Sequence, residues 1–291
     1  MVLASSAAAI SRPHVRHAHI VDVLIEERAP KLAASPLWPL IRLPLLALLD
    51  YGKARRIADA MAPMSGHAAL GYCSDWLDLK VEARGLERLP RNGRLIMICN
   101  HPTGIADGVA VYDAVRAIRP DLTFYANADA HRVCPGFSEV LIPVEWVDEK
   151  RTRDRTRLTL QMTRETMEAE RTLAIFPAGR IARRGPGGRL ADPAWAPSAL
   201  SIARKYDAPI APVHMSGPSS TLFHFFNRFS GELRDVTVFH ELLNKRGGDY
   251  RLSVGPIIPP DAMPADAGEA TQRLKAYIET ELAADPDRPF A

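Results

Sequence analysis

The chain has 291 residues, long enough to bury a substantial core as one large domain or two small ones. Its 47% apolar and 24% charged residues, with no internal repeat and no long low-complexity tract, are ordinary for a folded protein and exclude a repeat array or an extended disordered chain. Thirty-seven Lys and Arg against 34 Asp and Glu leave only +3, so bulk charge gives no reason to expect nucleic acid as a partner.

Residues 1 to 19 read as a loose, solvated leader. They lack a charged n-region followed by a long apolar core, and His14, His17 and His19 are not spaced for a metal. A first helix is expected from His19 to Arg28. Beyond it, Pro36 to Leu49 runs for fourteen residues with three prolines and Arg42 as its only charge. That is too short for a bilayer span, which needs about 20 apolar residues. Lys53, Arg55 and Arg56 follow at once, so the segment fits either an anchor lying on anionic lipid or a buried helical hairpin. Residues 1–70 are therefore set apart as an N-terminal helical segment, and 71–291 as the main domain.

From Leu77 onward strand and helix alternate. Strands are expected at 77–83, 95–99, 122–126, 140–144, 173–176 and 210–215, and helices at 109–118, 158–170 and 197–206. A late strand near Leu252 and an amphipathic helix over 270–282 close the chain. Alternating elements imply crossover connections, so the expected fold class is α/β: a mixed, largely parallel sheet flanked by helices, with the N-terminal helical segment in front. The run Lys150 to Arg157 reads as a solvated helix face or as a clamp for substrate phosphates.

In such sheets, sites form where strands end in loops. The apolar run Leu95 to Cys99 breaks into Asn100-His-Pro-Thr-Gly, which delivers His101 to a loop, and Asp107 follows near a helix N-terminus. A carboxylate bonded to one imidazole nitrogen fixes the tautomer and leaves the other free to take a proton. The plainer alternative is a structural histidine and a helix cap. A second strand end, Phe176-Pro-Ala-Gly-Arg, supports the chemical reading. Between Arg171 and Leu190 lie Arg171, Arg180, Arg183, Arg184 and Arg189 and no acidic residue, an anion-attracting loop suited to phosphate. Cys73, Cys99 and Cys134 are odd in number and have no paired ligand spacing, which suggests reduced thiols in a cytosolic setting and no metal.

Asn100-His-Pro-Thr-Gly-Ile-Ala-Asp-Gly, Phe176-Pro-Ala-Gly and Ile210-Ala-Pro-Val-His-Met-Ser-Gly resemble, in order and spacing, blocks of the glycerolipid (lysophospholipid, 1-acylglycerol-phosphate type) acyltransferases. The likeness is strongest to the bacterial hemolysin-like branch, which includes ornithine-lipid acyltransferases; there five residues separate His and Asp, and the second block reads Phe-Pro-Ala-Gly. Ser219-Ser-Thr-Leu-Phe-His-Phe-Phe and Glu241-Leu-Leu-Asn-Lys-Arg-Gly look like the same branch, so the similarity runs from Leu77 to Ile258.

The resemblance implies O-acyl transfer from acyl-CoA or acyl carrier protein to the hydroxyl of a lysolipid, lysophosphatidic acid-like or lyso-ornithine lipid, in membrane lipid synthesis. His101 would take the hydroxyl proton and Asp107 would hold the imidazolium. Asn100, Gly104, Phe176, Pro177, Gly179, Arg180, Arg183 and Arg184 would bind substrate, and backbone N–H groups near Gly104 or Gly179 would face the thioester oxyanion. No cofactor and no metal are implied, the thioester being a co-substrate. The partners implied are a lipid membrane surface, the lysolipid and the thioester donor, with the protein peripheral on the cytoplasmic face of the inner membrane.

Two departures bear on specificity. Ala178 stands where the family has an acidic residue, and Ile181 where it has arginine, with Arg180, Arg183 and Arg184 nearby instead. His214, where the family often has an aromatic residue, reads as core. Rival readings fare worse. A serine hydrolase lacks its GxSxG, since Gly136-Phe-Ser-Glu-Val has no second glycine, and neither GxxxxGK nor GxGxxG is present for a nucleotide. A catalytically silent lipid-binding protein is the alternative of a different class.

Overall fold

The computed structural model describes residues 18–145, 151–185, 188 and 190–291. The leader with His14 and His17, Lys150 at the head of the arginine run, and Arg189 lie outside the described residues. Helices α1 (Ile20–Arg28), α2 (Pro30–Ala33), α3 (Trp38–Leu48), α4 (Tyr51–Met61) and α5 (Gly66–Leu77) come first. His19 is not part of a solvated tail: Nδ1 accepts the Val21 N–H at 3.1 Å, capping α1, and Nε2 is 2.8 Å from Asp59. Helix α5 runs through position 70 and ends at Asp78, whose φ of 47° breaks the helix. The strand expected from Leu77 therefore starts only at Lys80.

The remaining elements alternate largely as expected: β1 (Lys80–Arg84), β2 (Leu95–Cys99), α6 (Ile105–Val115), β3 (Thr123–Asn127), α7 (Asp129–Val133), β4 (Leu141–Val144), α8 (Arg153–Glu168) and β5 (Thr172–Ile175). Then follow β6 (Arg183–Arg184), β7 (Leu190–Ala191), α9 (Ser198–Lys205), β8 (Ile210–Ser216), α10 (Thr221–Phe226), α11 (Gly231–Val236), α12 (Val238–Leu243), β9 (Asp249–Val254) and α13 (Ala267–Ala276). Helix α8 starts at Arg153 rather than Leu158 because the Thr152 hydroxyl caps it, accepting the Arg155 N–H at 3.2 Å.

Seven strands form one sheet in the order β1-β9-β8-β2-β5-β3-β4, and every pairing is parallel except β8 with β9. Strand β2 is central and wholly buried. Its alternate residues face opposite layers: Leu95, Met97 and Cys99 pack with α1, α3, α4, α5 and α6, and Ile96 and Ile98 with α9 and α13. The N-terminal helices thus share a core with the sheet. Register pairs Ile98 with Ile175 and Cys99 with Val213, so the loops after β2 and β5 leave the same edge of the sheet side by side. That places His101 next to Phe176.

Candidate active site

The loop after β2 is held from both sides before any chemistry is considered. Asn100 prolongs the pairing with β8 past the strand end: its Nδ2 donates to the Met215 carbonyl at 2.9 Å and its Oδ1 accepts the Met215 N–H at 2.7 Å. That amide thus gives one donor and one acceptor to the scaffold. The next residue, His101, donates its backbone N–H to both oxygens of Asp192, each at 3.1 Å, and its carbonyl accepts the Ala182 N–H at 2.9 Å.

With its backbone fixed, the His101 ring meets Asp107. Nδ1 lies 2.9 Å from Asp107 Oδ2, and the carboxylate is fully buried. Asp107 sits in the first turn of α6, where the helix dipole favours negative charge. Oδ2 also accepts the Thr103 and Gly104 N–H groups at 2.9 and 3.1 Å, and Oδ1 accepts the Thr103 hydroxyl at 2.5 Å. Since Thr103 has one hydroxyl proton and gives it to Asp107, the 2.7 Å contact between Thr103 Oγ1 and Tyr250 is one in which Tyr250 donates. A directed chain, Tyr250 to Thr103 to Asp107, therefore ends on the carboxylate as acceptor. It must take its last proton from His101 Nδ1, which leaves Nε2 as the basic nitrogen. The Phe176 ring covers one side of the imidazole, 4.7 Å between centroids.

Two glycines are required by shape. Gly104 has φ of 106°, and a Cβ there would stand 2.8 Å from Ile181 Cδ1. The Ile181 side chain is buried against this turn and has no charge to offer an anion. Gly179, at φ 59°, closes the turn after β5 by donating its N–H to the Phe176 carbonyl at 2.9 Å. Both glycine N–H groups are thus already bonded, so of the backbone N–H groups expected near Gly104 or Gly179 to face an oxyanion, those of the neighbouring residues are the ones to consider. Among the described residues, the N–H groups of Arg180 and Ile181, next along the chain, have no acceptor. Pro177 is buried, and its carbonyl accepts the Ala196 N–H at 3.1 Å.

The family model described as Acyltransferase matches residues 80–216, a span that contains both loops. A lyso-glycine lipid O-acyltransferase of Phocaeicola vulgatus is 27% identical over 197 residues, covering 65% of this chain and 68% of that protein. One of the same name from Bacteroides thetaiotaomicron is 30% identical over 158 residues, covering 53% of this chain and 55% of its own length. Over these spans the chain is similar to acyltransferases. The crystal structure of the 1-acyl-sn-glycerophosphate acyltransferase PlsC from Thermotoga maritima aligns over 94% of this chain and 100% of its own, at 14% identity and a TM-score of 0.49.

In this site the predicted arginines part company. Arg184 donates to the Gly188 carbonyl at 3.1 Å and to the Ser219 hydroxyl at 3.3 Å, and Arg180 is exposed. Arg183 has a buried Nε without a partner, and its guanidinium is held below the usual arginine range by burial and then by the cations Arg234 and Arg180. Arg234, on α11, is a member of this cluster that sequence reasoning missed. His214 is half-buried within β8, and burial lowers its pKa.

Asp192 is the other residue missed. Its carboxyl is buried, accepts the Trp195 indole N–H at 2.9 Å besides the His101 N–H, and burial lifts its pKa to about 6 against the pull of His101. One signal could have found it: Asp192 is the only acidic residue between Glu170 and Asp207.

Proposed function

We propose that this protein moves an acyl chain from an acyl thioester, on coenzyme A or an acyl carrier protein, to the hydroxyl of a lysolipid. The single observation that carries this reading is the His101–Asp107 pair at 2.9 Å with Nε2 left as the free base. His101 Nε2 takes the hydroxyl proton as that oxygen attacks the thioester carbon; the imidazolium stays against Asp107; the C–S bond breaks and the thiolate leaves with the same proton. The oxyanion between these steps is met by backbone N–H groups of Arg180 and Ile181. Arg180, Arg183 and Arg234 hold an anionic group of acceptor or donor. The relatives' name, lyso-glycine lipid O-acyltransferase, supports a lysolipid acceptor.

Docking to lipid follows from α3. Trp38, Leu45 and Leu46 face the core, while Leu40 and Leu43 are 75% and 70% exposed, so the helix is half buried and half free. Among the described residues no helix is long and apolar enough to cross a membrane. We place the free face of α3 flat on the cytoplasmic leaflet, with the exposed cations Lys53, Arg55 and Arg56 at the anionic headgroups.

The deciding experiment incubates pure protein with acyl-CoA or acyl carrier protein and a panel of lysophosphatidic acid, lyso-glycine lipid and lyso-ornithine lipid. Transfer to at least one is expected; a folded protein that acylates none of them with either donor defeats the reading.

Asp192→Asn gives a sharper check. Removing the carboxylate that holds the His101 backbone N–H loosens the reactive loop, so the substitution is expected to lower kcat roughly tenfold. Stability moves separately. Because the folded pKa of about 6 lies above the ordinary 3.8, this group's contribution is full below pH 3.8 and is lost as pH rises through 6. The variant should lack that slope in denaturant midpoints taken across the window. An unchanged kcat would show that Asp192 does not set the position of His101.

A further inference from the structure

Phe225 and Phe229 project from the end of α10 with 52% and 70% of their surface exposed, their ring centroids 5.1 Å apart. Paired aromatics bared to water mark a contact surface. The mount beneath them is rigid. Phe223 is buried, and its N–H donates at 3.3 Å to Glu241, a buried carboxylate that also holds Lys245 Nζ at 2.7 Å. At the other end of α10, the Ser220 hydroxyl donates to the Thr103 carbonyl at 3.3 Å, within the loop that carries His101. One short helix thus joins the reactive loop to the aromatic pair.

Cations flank the helix that carries the pair. Arg228, exposed, lies between the two phenylalanines in sequence, and Arg184 reaches Ser219 at the opposite end of α10; Arg234 holds Asp235 through Nε and Nη2 and donates from Nη1 to the Asn227 side chain at 3.0 Å. Neither Arg184 nor Arg228 is paired with a carboxylate among the described residues. The following helix, α11, is tied to the N-terminal helices: Glu232 accepts the N–H groups of Lys31 and Leu32 at 3.0 and 2.8 Å, and that chain continues into α3. Exposed aromatic tips on a helix flanked by unpaired arginines suit a bilayer interface, where rings enter the acyl boundary and arginines stay with phosphates.

We propose that Phe225 and Phe229, with the unpaired Arg228 between them in sequence and Arg184 at the other end of α10, form a second lipid contact, separate from α3, that seats the mouth of the site on an anionic bilayer. Its purpose rests on the acyl-transfer reading, since a lysolipid acceptor then reaches His101 from the bilayer without crossing water. The surface itself is tested independently of turnover.

The test compares wild type, Phe225→Ser/Phe229→Ser and Leu40→Ser/Leu43→Ser by co-sedimentation with phosphatidylcholine vesicles with and without phosphatidylglycerol. Turnover is measured in parallel on a bilayer-embedded lysolipid and on a short-chain one kept monomeric. The phenylalanine variant is expected to partition roughly tenfold less, to lose turnover on the embedded acceptor in proportion, and to keep turnover on the monomeric acceptor within about twofold. Circular dichroism checks its fold. Unchanged vesicle binding overturns the proposal, as does binding that stays constant while the variant loses self-association, which would make the pair an interface between two copies. A wild-type protein that binds vesicles through these residues but acylates no acceptor upholds the lipid contact and sinks the acyl-transfer reading alone.

Discussion

His101→Ala is expected to cut acyl transfer by about 10²–10⁴-fold while leaving the protein folded and close to wild-type stability. The rate should fall because, among the described residues, no other imidazole is held beside Phe176 with one nitrogen committed to a carboxylate. Stability should hold because the loop is fixed through the backbone of residue 101, by Asp192 and Ala182, and those bonds survive truncation of the ring. Initial rates and denaturant unfolding on the same preparations check both halves. A variant that retains more than a tenth of the wild-type rate would remove His101 from the proton-transfer role.

Asp107→Asn should differ from it in kind. Four donors converge on the two carboxylate oxygens: His101 Nδ1, the Thr103 and Gly104 N–H groups and the Thr103 hydroxyl. An amide offers one oxygen, and its NH₂ points a donor at donors, so at least one buried group is stranded and the loop must open. The expected loss is about 2–4 kcal/mol of stability together with about 10²-fold or more in rate. Paired with His101→Ala, the variant separates chemistry from architecture: rate loss alone for the imidazole, loss of both for the carboxylate. Equal unfolding midpoints for wild type and Asp107→Asn would show that the buried carboxylate is not the centre of the loop.

Most of the sheet was legible because its strands are short apolar runs that end in turn formers. Strand β2 is the clearest, with five apolar residues broken by Asn-His-Pro-Thr-Gly, and its observed bounds match the expected ones. Errors fell where a cap outranked periodicity, at Thr152 before α8 and at Asp78 after α5. The stretch Pro36 to Leu49 had two readings in the sequence, anchor or hairpin, because a one-dimensional run of leucines does not say which face is covered. In the folded protein one face of α3 packs and the other does not.

The sequence by itself determined the alternation that makes the sheet and the pairing of His101 with Asp107, which six positions of chain hold together whatever the rest does. Only the tertiary structure decided what holds that pair in place. Asp192 stands 91 positions from His101, just after the two-stranded antiparallel pair β6–β7, and Tyr250 stands 147 from Thr103, on β9 between β1 and β8. Contacts of that kind leave no period and no spacing in the chain, because they are set by the order in which strands enter the sheet. Ile181 and Gly104 show the same limit: that they exclude each other's larger substitutes follows from their packing distance, which no reading of residues one after another contains.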